Sequence, residues 1–497
     1  MYQRLTSRRR FLAGAAATFG VAILAACAPA PAPTATPAPK PTEAPKPTTA
    51  PAAPTATPAA AAKPTEAPKP TAAAKPTEAP TAAAAKPTTQ AAQAPVPKLK
   101  GKLVFWGHDI HPIDNLVPGY KQRQPDVQFD SQHIGEWLTK FKATLASGQD
   151  VPDLVWLEAT DIQALGAQGV LLDVTDIIKP IADQFAKAKV VEVFIVKKQQ
   201  YVAIPSDLAL VGLWYRADLL QKAGVKPPEK GFKFDPDFLK MAVDVNKATG
   251  AAAFLLPKNG WAWPFEIFLS QLGGSINTLD GTKVTVDDDK GIQAMTLLKQ
   301  LYDTKTALDT DWLQAPYWGA VKAGKIATDF MPAWMRGFVR GETKTAAEGL
   351  GQWRIAPMPE LPNGVSRTAQ IGGAALTSTK FTKVPDIVKD FMLYGFATME
   401  GCKAIGDFGN IPPYLPYLES DVFQGQKDPI FGDQAYAKVW AELAKELSPD
   451  YARTAVFAEA DTIITQNMMP ILRGEVKVAD GMKKIGDLVR QANARYQ

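Results

Sequence analysis

Apolar and polar positions change their period several times along this chain, and the changes mark out its elements. Lys102-Leu-Val-Phe-Trp106 is a short apolar run, read as a strand, that feeds into the polar tip Gly107-His108-Asp109-Ile110-His111. Pro125-Asp-Val-Gln-Phe-Asp130 predicts a second strand, residues 136–147 a helix, and Pro152-Asp-Leu-Val-Trp156 a third strand with Glu158 at its tip. Asp161 is expected to cap a helix that stops at Gly169. Strands that alternate with helices predict an α/β fold with a mainly parallel sheet. In such sheets ligand groups gather beyond the carboxyl ends of strands, which makes Asp109 and Glu158 candidate contacts.

The stretch from Tyr201 to Gly224 behaves differently. An extended run stops at Pro205, leaves polar Ser206 and Asp207, resumes as apolar residues through Tyr215, and enters a helix closed by Gly224. Proline has no amide donor and restrains its predecessor, so a sheet ladder does not continue through it. The stretch therefore reads as a crossing between two lobes, with Asp207 facing the gap. The last third is helical. Ala435, Val439, Leu443 and Leu447 form one stripe, and helices over 455–472 and 478–494 follow, interrupted by Pro470 and Gly474. Charges break every apolar run there, which argues against a membrane role.

Composition separates the ends of the chain from its folded part. A length of 497 residues exceeds one ordinary core. Of 55 Lys+Arg and 50 Asp+Glu, residues 1–98 hold 11 and 3; the remainder carries 44 against 47, a net of −3 rather than the overall +5. That balance excludes a nucleic-acid footprint. Ser7-Arg-Arg-Arg10 before an apolar run has the order of an export signal and resembles a twin-arginine signal, although triple arginine also serves general secretion. Leu24-Ala-Ala-Cys27 resembles a bacterial lipobox, which implies cleavage before Cys27 and acylation of its thiol. Residues 28–98 are Ala, Pro, Thr and Lys with Lys-Pro-Thr-Glu-Ala-Pro repeated from Lys40, Lys63 and Lys75, a disordered linker with little to bury. Extended as polyproline II it would reach roughly 200 Å. Cys27 and Cys402 are the only cysteines, so the folded part has no internal disulfide.

Motifs in the rest of the chain carry a family resemblance. Pro152-Asp-Leu-Val-Trp-Leu-Glu-Ala, Ile204-Pro-Ser-Asp with Leu213-Trp-Tyr-Arg-Ala-Asp-Leu, residues 320–334 ending in Met-Pro-Ala-Trp334, Trp353-Arg-Ile-Ala-Pro-Met-Pro359 and Gly372-Gly-Ala-Ala-Leu376 follow one another in order. Together they resemble the extracellular solute-binding proteins of carbohydrate ABC importers, the group that includes maltose-binding protein. The resemblance implies a two-lobed periplasmic-binding-protein-like fold, with discontinuous lobes joined by a multi-strand hinge and closing on ligand. It places residues 99–206 plus 356–399 in one lobe and 207–355 plus 400–497 in the other, after a signal over 1–27 and the linker over 28–98. It also implies a monomer that serves permease subunits and meets the membrane through its lipid anchor only.

Sugars offer C–H faces to aromatic planes and hydroxyls to planar, bidentate acceptors and donors. Trp261, Trp263 and Trp334 sit beside Gly or Pro at element ends and become candidate platforms, while Trp106, Trp156 and Trp214 lie inside apolar runs and read as core. Asp109, Glu158 and Asp207 are the polar candidates. Asn410, in Asn410-Ile-Pro-Pro413, is added by the Pro-bearing loop that the family often sets near the cleft. His108 and His111 lack a third ligand nearby, so no metal or other cofactor is expected. Gly319 to Lys325 imitates a phosphate loop, but Ile326 stands where Ser or Thr is needed and the glycines precede a strand. Hydrolase and dinucleotide signatures are missing. The leading reading is a non-catalytic carbohydrate carrier. Its rivals are a surface-anchored glycoside hydrolase using two of Asp109, Glu158, Asp207 and Glu266, and a binder of a small charged solute such as a polyamine or metal chelate.

Overall fold

Leu103 and Phe105 point to one side of the strand Gly101–Gly107 and Trp106 to the other, and the first lobe is built on that alternation. The computed structural model describes residues 97–107, 111–258, 261–449, 451 and 453–496; the signal, Cys27, the linker up to residue 96 and Asp109 lie outside them. The five-stranded sheet runs Val127–His133, Gly101–Gly107, Leu154–Glu158, Ala374–Thr377, Ala203–Pro205. Its first three strands are parallel, in register from Gly101 opposite Val127 to Gly107 opposite His133. Leu103, Phe105, Leu154, Trp156, Ile204 and Leu376 pack on one face against Val388 and Phe391 of the helix Pro385–Phe396. Trp106, Val155, Leu157, Ala203 and Ala375 fill the other face with Phe141 and Ile162. Both faces are covered, as a largely parallel sheet requires.

One strand, Ala374–Thr377, runs against its neighbours because it returns from the second lobe. The second lobe departs further from the parallel expectation. Its strand Val211–Arg216 leads away from the crossing, while Thr328–Pro332 and Trp353–Ala356 lead back, so both pair with it antiparallel. Farther out, Phe254–Pro257 pairs in parallel with Ala307–Thr310, and Ala252 bridges Ile326. Trp214 and Trp353 are fully buried in this core, and the Trp214 indole donates to the Met331 carbonyl at 3.0 Å. Gly324 (φ +64°) turns the helix Ala315–Lys322 towards Thr328–Pro332, the helix-to-strand connection expected of the false phosphate loop. The C-terminal helix Phe457–Leu472 continues two residues past Pro470, and Val478–Asn493 packs on the same core.

Three chain segments meet at the junction. Pro205 ends its strand, and the Ser206 hydroxyl takes over its role in the ladder by accepting from the Leu376 amide at 2.9 Å. Residues 206–210 then run antiparallel to residues 369–373, with Val211 N–H donating to Ala369 and Ile371 N–H to Ala209. The Leu208 amide donates to Ile411 at 2.7 Å, which adds the third segment. Met358 and Leu361 pack in the second-lobe core, whereas Ile405 of the helix Met399–Phe408 packs with the first. His111 lies between the rings of Phe105 and Trp156, and His133 pairs with Asp114. Among the described residues no helix is long and apolar enough to cross a membrane.

Candidate functional site

Gly372 and Gly373 carry the second crossing through φ of +71° and +86°, a conformation that disfavours any side chain. A Cβ on Gly372 would lie 3.6 Å from Trp334 Nε1 and 3.9 Å from Glu158 Oε1, so this backbone passes between the tip of a first-lobe strand and an aromatic of the second lobe. Trp334 is held there by a 3.2 Å hydrogen bond from its indole to the Ile371 carbonyl. Glu158, exposed at the end of Leu154–Glu158, is the N-terminal neighbour of the helix Ala159–Gln168. Asp161, expected as that helix's cap, sits in its first turn and pairs with Lys142.

Arg453 connects the two lobes. Its guanidinium, 5% exposed, donates from Nη1 to Glu158 Oε2 at 3.3 Å and lies 3.8 Å from Glu266 Oε2, while its buried Nε has no hydrogen-bond partner among the described residues. Glu266 belongs to the helix Trp263–Gln271 and is buried; loss of water pushes its carboxyl up to about 8, against the pull of Arg453 and with a further push from Asp461. Asp461 is raised mainly by burial and accepts from the Ala262 amide at 2.9 Å, fixing the start of the same helix. Lys189 and Glu192 form a fully buried ion pair; Gln370 donates to Glu192 at 2.7 Å and Lys189 to the Gly373 carbonyl at 3.3 Å. Arg453, Glu192, Gln163, Tyr201, Leu279 and Thr454 line a cavity of about 130 Å³.

Asp207 does not face open space. It is 3% exposed, accepts from the Ile411 amide at 3.2 Å, and is adjoined by the Asn410 side chain. Burial pushes its carboxyl up to about 6, opposed by Lys189, Asn410 and the Ile411 amide. A buried carboxylate needs donors, and the third crossing supplies them. Asp207 and Asn410 thus come together, tying two crossings.

The aromatic candidates also meet. Trp261, 47% exposed, and Trp263, buried, both contact Trp312, with ring centroids 6.3 and 5.2 Å away, and Trp334 is 5.8 Å from Trp312. Trp312 is the ring that sequence reading missed. It follows the strand Ala307–Thr310, at the kind of element end that marked the other three. Arg453, Asp461, Lys189 and Glu192 were missed too, since only tertiary pairing distinguishes them from ordinary surface charges. The cluster packs its indoles edge-on and tilted, leaving Trp261 exposed and Trp334 half-buried, and with the Arg–carboxylate pair it suits a ligand with apolar faces and many hydroxyls.

Known proteins share this architecture. The arabinooligosaccharide-binding protein of Bacillus subtilis (strain 168) is 22% identical over 390 residues, 74% of this chain and 86% of that protein. The lactose-binding protein of Rhizobium radiobacter is 24% identical over 411 residues, 78% and 92% of the two chains. Among solved structures, the ABC transporter associated binding protein from B. animalis subsp. lactis Bl-04, in complex with beta-1,6-galactobiose, aligns with TM-score 0.67 and 21% identity over 80% of this chain and 98% of its own. The GacH receptor of Streptomyces glaucescens GLA.O aligns with TM-score 0.64 and 22% identity, over 80% and 100%. Residues 107–397 match the profile described as "Bacterial extracellular solute-binding protein". That span takes in every strand of the two larger sheets but Gly101–Gly107, together with Glu158, Gly372 and the indole cluster, though not Arg453, and it places this chain in the family of bacterial extracellular solute-binding proteins.

Proposed function

We propose that this chain is the lipid-anchored binding component of an ABC importer, capturing a carbohydrate, an oligosaccharide or related polyol, between its lobes and handing it to the membrane permease. It catalyses no reaction in this reading. The observation that carries it is the gathering of Trp261, Trp263 and Trp334 around Trp312, with Trp334 and Glu158, the partner of Arg453, on either side of Gly372. Support comes from relatives whose names specify arabinooligosaccharide, lactose and maltodextrin binding. Glu158, Trp261 and Trp334 are assigned to the ligand, with buried Trp263 supporting them through its contact with Trp312; Asp109 stays a candidate on sequence grounds alone, and Asp207 and Asn410 act by fixing the crossings. The lobes take about 99–206 and 207–355 from the first part of the chain; the expected division of the rest at 356–399 and 400–497 shifts, since Met358 and Leu361 pack with the second lobe and Ile405 with the first. The anchor rests on Leu24-Ala-Ala-Cys27.

A thermal-shift screen over sugars, polyols, amino acids, polyamines and chelated metals tests the ligand class, because a ligand selective for the folded state raises the melting temperature. Carbohydrate hits, with no product on chromatography, are the expected result. A hit confined to polyamines or chelates, or release of cleaved sugar, overturns the reading. Cys27→Ser is expected to move the protein from the membrane fraction to the soluble one.

A further inference from the structure

The rings continue beyond the cleft. One turn past Trp334, Phe338 on the helix Met335–Glu342 stands edge-on to it at 5.8 Å. Phe338 in turn stacks on Trp318 of the helix Ala315–Lys322, with centroids 6.4 Å apart and ring planes at 15°. Phe338 is 43% exposed, and Trp318 is half-buried with its indole fixed to the Leu313 carbonyl at 3.1 Å. Four residues further along the same two helices, Lys322 and Glu342 form an ion pair at 2.8 Å, each 39% exposed. Helical residues four apart share a face, so 318 with 322 and 338 with 342 set a ring pair beside an ion pair between the two helices.

We propose that Trp318, Phe338, Lys322 and Glu342 form an outer subsite, joined to the cleft through Trp334, that takes the distal units of an oligosaccharide whose proximal units lie between the lobes. The inference rests on the carbohydrate reading and narrows it to a linear chain long enough to leave the cleft. The exposed phenyl face meets the C–H face of a sugar ring, Glu342 accepts from its hydroxyls and Lys322 donates to them. Continuity with the cleft indoles is what favours a ligand end over a partner protein. An unbroken series of ring contacts runs from Trp261 through Trp312, Trp334 and Phe338 to Trp318.

Calorimetric titration of the full chain with di- to hexasaccharides of the arabino, galacto and malto series tests this. In the series that binds, the penta- and hexasaccharide should bind about tenfold or more tighter than the disaccharide, the gain expected from covering one further ring face. Phe338→Ala and Trp318→Ala, checked for native circular dichroism, should abolish that gain and leave the disaccharide Kd within about twofold. Variants that bind the hexasaccharide like the unmodified chain, or that lose short and long ligands alike, overturn the outer subsite and leave the carbohydrate reading standing. Among these outcomes, unchanged binding with lost uptake would assign the patch to the permease. No binding of any series by the unmodified chain overturns the carbohydrate reading first, and the subsite with it.

Discussion

Arg453 reaches from the C-terminal part of the chain to Glu158, 295 positions earlier, and hydrogen-bonds it at 3.3 Å while standing against buried Glu266. Removing the guanidinium leaves Glu266 buried without its cation. Arg453→Gln is expected to cost about 2 kcal/mol or more at pH 8. The loss should be smaller at pH 5.5, where Glu266 is already protonated and needs no countercharge. Urea melts at the two pH values check this, and an equal loss at both rejects it. Glu158→Gln should change stability little, because that carboxylate is exposed.

Stability of the unmodified chain should fall as pH rises. Glu266 and Asp207 have folded values pushed up to about 8 and about 6, above ordinary carboxyls, so the folded state binds more protons between roughly pH 4 and 8. Their contribution is complete below the unfolded values and is lost as pH passes the folded ones. Glu266→Gln is expected to flatten the pH 5 to 8 part of the profile by ~1 kcal/mol or more. Thermal melts at unit pH steps provide the measurement, and an unaltered slope counts against Glu266 as its source.

Trp312 and Trp261 should separate stability from binding. Trp312→Ala empties a buried site among three indoles and is expected to cost about 3–5 kcal/mol. Trp261→Ala trims an exposed ring and should move stability by no more than about 0.5 kcal/mol while weakening the carbohydrate found in the screen. Chemical denaturation and titration of the same two proteins test the split. Equal affinity for Trp261→Ala and the unmodified chain removes Trp261 from the ligand.

At the second crossing, Gly373→Ala places a Cβ 3.0 Å from the Asp207 carbonyl oxygen at a φ of +86°. A loss of about 1–2 kcal/mol from the left-handed conformation alone is expected. Gly324→Ala, at φ +64° with open space around its Cβ, supplies the comparison, since it carries the backbone penalty without the contact. Gly373→Ala should be the less stable of the two.

Much of the fold could be read in advance where burial forces a local pattern. Leu103, Phe105 and Trp106 declare a strand covered on both faces, and Pro205 declares where a ladder must end. The direction of the second-lobe strands was not legible, because it depends on which way each segment approaches the crossing. Glu158 and Trp334 could be picked from their places at element ends. Asp207 was recognisable as unusual but not as a tie, since its donors at residues 410 and 411 lie some two hundred positions away. Trp312 stayed hidden because Ala307-Leu-Asp-Thr310 has too few apolar residues to announce the strand before it. Arg453 gave no local sign, as its significance comes wholly from distant partners.

Four indoles in contact, at 261, 263, 312 and 334, also give the protein an optical gauge of its own. Neighbouring chromophores at such spacing share excitation, so a guest that covers one alters the emission of the group. Occupancy could be followed in the ultraviolet without dye or label, with Trp334→Phe as the mute to show which chromophore is speaking.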